Sequence, residues 1–302
     1  MRKLIFLGLL LCNTVYADEG LSDFQNYLIG MKFYDDGVYD KAINPLKLAV
    51  TSNSLKPNIK AYAVIALAVI DEKANQFSDS ISILSEFLTG NGTNISIDAK
   101  KDMLVMESRL CRQNGIDKIS ESYSIANDAK EIAPDDPGTL LNYSVAGLQY
   151  AGVLKQKAAT DVNNKKNLLS KATSILNDSL LTSQNIVSTC QDTDLLSQTY
   201  NTMGRIQYLN CQFSEAEKSF QKAYSLVDRP IFHRNRGWAL LDGLDSKMRG
   251  KAKLEMLKET LLEFDIAQKS GVIDLVTQKQ ITSLERVIKE LSVKYEKMPN
   301  KT

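Results

Sequence analysis

His233 is the only histidine in this chain, so neither a two-histidine zinc site nor a relay of paired imidazoles can form within it. Carboxylates are plentiful, but the adjacent pairs Asp35/Asp36 and Asp135/Asp136 fall at expected turns or helix starts. There they cap backbone N–H groups rather than exchange protons. The sequence holds no Gly-x-Ser-x-Gly, no Gly-x-x-x-x-Gly-Lys-Ser/Thr and no Gly-x-Gly-x-x-Gly. It therefore lacks the local patterns of a nucleophile elbow, a phosphate loop and a dinucleotide fold. Read this way, the chain is not an enzyme, needs no cofactor and offers no metal site. An exported glycan-cleaving enzyme with two isolated carboxylates, which no motif would reveal, stays open as an alternative.

The bulk properties exclude other classes. Of 302 residues, 43% are hydrophobic, enough for a substantial core, and only six are proline, which favours long helices over a turn-rich β-sandwich. The net charge is +1, so there is no global electrostatic case for nucleic acid or an anionic membrane.

The first residues read as a leader. Arg2 and Lys3 precede an apolar run from Leu4 to Leu11, and Val15-Tyr16-Ala17 ends in small residues at the two positions a signal peptidase reads. The run is too short to span a hydrocarbon layer of about 30 Å. Residues 1–17 are thus expected to be a signal peptide of bacterial type, cleaved after Ala17 to give a periplasmic or secreted protein with no transmembrane segment. Lipidation at Cys12 is disfavoured by the bulky Leu11 before it. Three cysteines then remain, Cys111, Cys190 and Cys211. A helix over 194–209 would hold the latter two roughly 24 Å apart, far beyond disulfide reach, so all three are read as small buried hydrophobes. Asn91-Gly-Thr and Asn94-Ile-Ser are read as a polar loop.

The chain also repeats itself. In residues 197–230, Met203–Ile206–Tyr208–Leu209 and Phe213–Ala216–Phe220–Ala223 make two amphipathic faces at helical spacing. The small residues Gly204 and Ala216 let two antiparallel helices close to 8–10 Å, and Phe220 fills the space beside them. Gly30, Phe33, Gly37, Tyr39, Ala42, Leu46 and Ala49 take corresponding places in residues 23–56. Weaker copies cover 61–94, 103–136 and 141–180, and a sixth opens at Gly237. Polar stretches at 155–166 and 245–256 read as lengthened loops. Pro45 lies inside the second helix of the first copy and is expected to bend or shorten it.

This pattern resembles the tetratricopeptide repeat, a helix–turn–helix of 34 residues. The resemblance implies an all-α, right-handed superhelical solenoid of about six antiparallel hairpins over residues 18–271. A C-terminal capping helix (272–298) and a disordered tail (299–302) would follow. His233 stands where that family places a bulky aromatic, so it is read as structural. The resemblance also implies a concave groove on the first helices. In that register Asn201, Arg205, Tyr208, Arg234 and Trp238 face inward near the C-terminus, and Phe24, Tyr27 and Met31 near the N-terminus. Trp238 packed instead on the terminal helix is the structural alternative.

The expected function is a non-enzymatic scaffold or assembly factor of the bacterial cell envelope, holding a protein or peptide in the groove and not nucleic acid. Alternatives are an enzyme or glycan-binding protein that uses the helical array as a clamp, and a secreted effector of a host protein. A homo-oligomer stays open. Intact-mass and N-terminal sequencing of protein recovered from the envelope should find Asp18 as the first residue. A lipid-modified Cys12 or a retained Met1 would overturn the cleavage expectation.

Overall fold

A computed structural model describes residues 22–244 and 248–296. The expected signal peptide, Cys12 and the tail 299–302 lie outside the described residues. Among the described residues there are thirteen α-helices and no strand. In chain order they are α1 (Asp23–Asp35), α2 (Tyr39–Thr51), α3 (Pro57–Lys73), α4 (Phe77–Asn91), α5 (Ile97–Asn114), α6 (Ile119–Ile132) and α7 (Pro137–Thr160). Then come α8 (Lys165–Thr189), α9 (Thr193–Leu209), α10 (Phe213–Leu226), α11 (Pro230–Asp242), α12 (Gly250–Lys269) and α13 (Leu275–Glu296). The helices pair with their chain neighbours, and the chain forms two compact units divided within α5, between Met103 and Leu104.

In the first unit α1 begins with a capping box, Ser22 and Gln25 each binding the other's backbone N–H. Asp23 ties that start to the end of α2 by accepting hydrogen bonds from Ser52 and Ser54. These bonds hold its carboxyl below the ordinary range. Gly37, at φ +73°, makes the tight turn between the two helices. α1 approaches α2 so closely at Gly30 that an added Cβ would stand 2.7 Å from Leu46 Cγ. Ala42, Leu46 and Ala49 from α2 join Ala63, Leu67 and Ile70 from α3 in one core. Pro45 does not shorten α2, which runs on to Thr51. With no N–H, Pro45 gives up one bond of the helical ladder, and burial of Leu46 and Ala49 beyond it keeps the helix going.

The second unit repeats the device. A Cβ at Gly147 would meet Ser179 Oγ at 2.2 Å, one at Gly204 would meet the Phe220 ring at 2.6 Å, and one at Gly237 the Phe264 ring at 2.6 Å. Each glycine sits on the first helix of a hairpin and each partner on the second. The α5–α6 pair uses serine instead. Ser108 Oγ donates to the Ser122 carbonyl at 2.9 Å, and Ser122 Oγ donates to the Ser108 carbonyl at 2.8 Å. Ala216, like Ala42, is fully buried. Beyond the last hairpin, Ile281 and Leu284 of α13 cover Leu257 and Phe264 of α12.

Two expected loops are largely helix. The polar stretch 155–166 is α7 up to Thr160 and α8 from Lys165, leaving a turn of 161–164. Leu154 and Ala158 supply a narrow buried stripe while the polar residues face water. Asn164 closes the turn by donating to Asp161 through its side chain (2.8 Å) and backbone (3.1 Å). Likewise α12 starts at Gly250, because Leu254 and Leu257 are buried in its first turns. The three cysteines are free thiols. Cys111 is buried and pushed up to about 12 by that burial, whereas Cys190 is half-buried and Cys211 exposed, so burial holds only for the first.

Gly204→Ala should cost about 1–3 kcal/mol through overpacking against Phe220. Gly152 lies in the interior of α7 with nothing within 4 Å of an added Cβ. There alanine should instead add about 0.5–1 kcal/mol. Urea melts of the two variants check the opposite signs, and equal effects would contradict the close-approach account.

Candidate functional site

The residue that follows each close-approach glycine of the second unit turns to the same place. Leu148 follows Gly147 on α7, Arg205 follows Gly204 on α9, and Trp238 follows Gly237 on α11. All three line one cavity of about 460 Å³. Positions three and four residues apart on a helix share a face, so Gly152 joins Leu148, and Tyr208 and Leu209 join Arg205. Phe220 shows through from α10 behind Gly204, and Gln149 and Asn235 complete the wall.

Arg205 sets the chemistry of this cleft. Among the described residues it has no hydrogen-bond or ion-pair partner. Burial, and after it the charge of Arg234, holds its guanidinium below the ordinary arginine range. An arginine withdrawn from water without a counter-charge is costly, and a carboxylate guest would relieve that cost through paired N–H donors. The Tyr208 hydroxyl donates to Asp242. Burial first, then that carboxylate, holds its phenol above the usual value. Gln149 Oε1 is buried with no donor in reach.

The other expected groove residues divide. Asn201 does not line the cavity but accepts a 2.8 Å bond from Asn235 Nδ2, which does. Arg234 pairs with Asp274 at 3.7 Å and is outside the lining. Trp238 meets both expectations at once. Its ring faces the cleft, while its N–H reaches Thr277 Oγ1 on α13 at 3.3 Å and its edge packs on Phe264. Phe24, Tyr27 and Met31 belong to the first unit. Phe24 is 48% exposed and stacks on Tyr27, and Tyr27 and Met31 lean on the core there.

One cluster escaped the sequence reading. His233 is buried, with Nδ1 2.7 Å from Glu263 Oε2 and Nε2 2.8 Å from Asp228, and its ring stacks on Tyr224 at 4.6 Å. Arg236, also buried, donates to Glu217 at 2.8 Å, to Glu259 at 2.5 Å and to Glu263. Burial alone would lower its proton affinity, but the bonds and charges of Glu217 and Glu263 raise it. The signal was Glu263 itself, which falls on the buried Thr260–Phe264–Ala267 face of α12, where an acid demands a cation. With Glu263 neutralised in this way, the cluster braces α10, α11 and α12. Among the described residues no His/Cys/Asp/Glu group is arranged to hold a metal.

Paired hairpins, glycine-to-ring contacts and a cleft on the first helices define, among the described residues, an all-helical protein built from repeated helix pairs. No family model matches the chain, and no curated protein does. Solved structures resemble it at low identity. A thermophilic tetratricopeptide-repeat protein of Thermus thermophilus is 16% identical over 74% of this chain and 98% of its own, with a TM-score of 0.49. One from Parabacteroides merdae is 14% identical over 88% of this chain and 100% of its own, at 0.48. The TPR2AB domain of yeast Sti1, solved as a complex with pHSP90, is 13% identical over 91% of this chain and 98% of its own, at 0.37.

Removing the Arg236 side chain should leave Glu263 buried with only His233 to answer it. Arg236→Ala is expected to cost about 3–5 kcal/mol, while Lys258→Ala on the exposed face of α12 should change stability little. Thermal melts decide, and an Arg236→Ala protein as stable as the parent would refute the bracing role.

Proposed function

We propose that this chain is a non-enzymatic interaction scaffold that holds an anionic, extended segment of a partner protein in the cleft of α7, α9 and α11. The observation that carries the reading is Arg205, a cation without a counter-charge in a cleft walled by Leu148, Leu209 and Trp238. Arg, Tyr and Trp are the side chains that most often dominate binding energy at protein interfaces, and the cleft offers one of each. The apolar walls exclude water from the contact and strengthen it. Phe24, Tyr27 and Met31 make a second, apolar surface suited to an amphipathic helix. Asn201 holds Asn235 at the rim of the first.

The leader expected at residues 1–17 from the sequence pattern supports work in the cell envelope, with the protein free in the periplasm or secreted. Among the described residues no helix is long and apolar enough to cross a membrane. The assembly of an envelope machine is the task that export and a binding cleft together fit.

Affinity capture from an envelope extract tests this. Proteins held by the parent should be lost with Arg205→Ala and with Trp238→Ala, each checked for intact helicity, and kept with Lys258→Ala. An unchanged set of captured proteins across all variants would remove the cleft from the account.

A further inference from the structure

The wall formed by Gln149 and Gly152 has a second side. On it lies another cavity, of about 400 Å³, which both residues also line together with Arg112, Ile116, Ile119 and Val153. Arg112 is on α5, four residues after Ser108. It therefore occupies the register place that Tyr208 holds four residues after Gly204. Its hydrogen bonds go to neutral acceptors, Ser108 Oγ at 2.9 Å and Asn142 Oδ1 at 2.8 Å, with Ser122 Oγ at 3.4 Å. No carboxylate among the described residues pairs with it. Burial, and after it the charge of Arg109, brings it down to about 10, so it remains a cation at neutral pH.

Two cations without counter-charges thus stand on either side of a shared wall. The wall carries an acceptor with no donor, Gln149 Oε1, and at Gly152 a place where a side chain would meet nothing. We infer that the cleft at Arg205 continues across Gly152 to Arg112, and that its guest is an extended peptide carrying two separated acidic groups, one for each arginine. The inference rests on the reading of the Arg205 cleft given above and adds a second anchoring point to it. A peptide fits better than a nucleic acid. The two cations are isolated between aliphatic walls (Leu148, Val153, Ile116), whereas a nucleic-acid groove tracks its backbone with a continuous row of positive charge.

Fluorescence anisotropy with labelled Gly-Ser peptides of roughly a dozen residues tests this, each carrying one leucine and either no, one or two glutamates at varied separation. At one favoured separation the two-glutamate peptide should bind about tenfold more tightly than the one-glutamate peptide, as expected for one added charge-assisted contact. Arg112→Gln should return it to the one-glutamate level and leave the one-glutamate peptide unaffected. Gly152→Phe, which puts a ring into the crossing, should weaken the two-glutamate peptide more than the one-glutamate peptide while the helical signal stays intact. This covers the case in which loss of Arg112 disturbs folding. If two glutamates bind no better than one at any separation while Arg205→Gln still weakens both, the second anchoring point is wrong and the first cleft stands. If Arg205→Gln changes nothing, both fall. Tighter binding of a labelled oligouridine than of any peptide would overturn the peptide guest.

Discussion

The distance between the two helices of a hairpin governs this protein. At Gly147, Gly204 and Gly237 the first helix comes so near the second that a single methyl group would collide with Ser179, Phe220 or Phe264. Close approach lets the Phe220 and Phe264 rings lie against bare backbone, where dispersion contacts accumulate. It also fixes rotation about the helix axis. Once the glycine faces its partner, the next residue is turned by about 100° around the axis, toward the cleft. That is why Leu148, Arg205 and Trp238 converge on one cavity although they lie tens of residues apart in the chain. Packing at one position thereby aims the binding group at the next.

The arginines of the second unit illustrate how differently the same side chain can be used. Arg236 is enclosed by Glu217, Glu259 and Glu263, and the cost of burying its charge is offset within the fold. Arg205 and Arg112 have no such partners, although the chain is rich in acids. The first arrangement holds three helices together. The second leaves the fold carrying an unbalanced charge, the kind of local inconsistency that accompanies a surface built for something other than stability.

Much of this was readable in advance because close approach leaves a mark in residue size. Gly30, Ala42, Gly204 and Ala216 identified the hairpin contacts, and the periodicity around them gave the helices. The α7–α8 extension was not readable, because residues 155–166 bury only a narrow stripe and their polarity outweighs it in any linear reading. Arg112 was missed for a related reason. Its hairpin closes through Ser108 and Ser122 instead of glycine against a ring, so the register mark was absent there. Trp238 could not be assigned to groove or core from sequence, since an indole wide enough to touch both does touch both.

Lys155 reaches from α7 to the carbonyl of Leu209, the last residue of α9. Everything in α7 beyond Gln156, which still lines the second cavity, the turn at 161–164 and the opening of α8 overhang the neighbouring helix, and Val162 at the tip is 82% exposed. This overhang is a handle. Because its two helices lengthen together and bury chiefly against each other, turns can be added or removed there without altering the cavity beneath. A fused reporter or an immobilising tag at Val162 would leave the groove free, and evolution has the same latitude to make the tip a separate point of attachment.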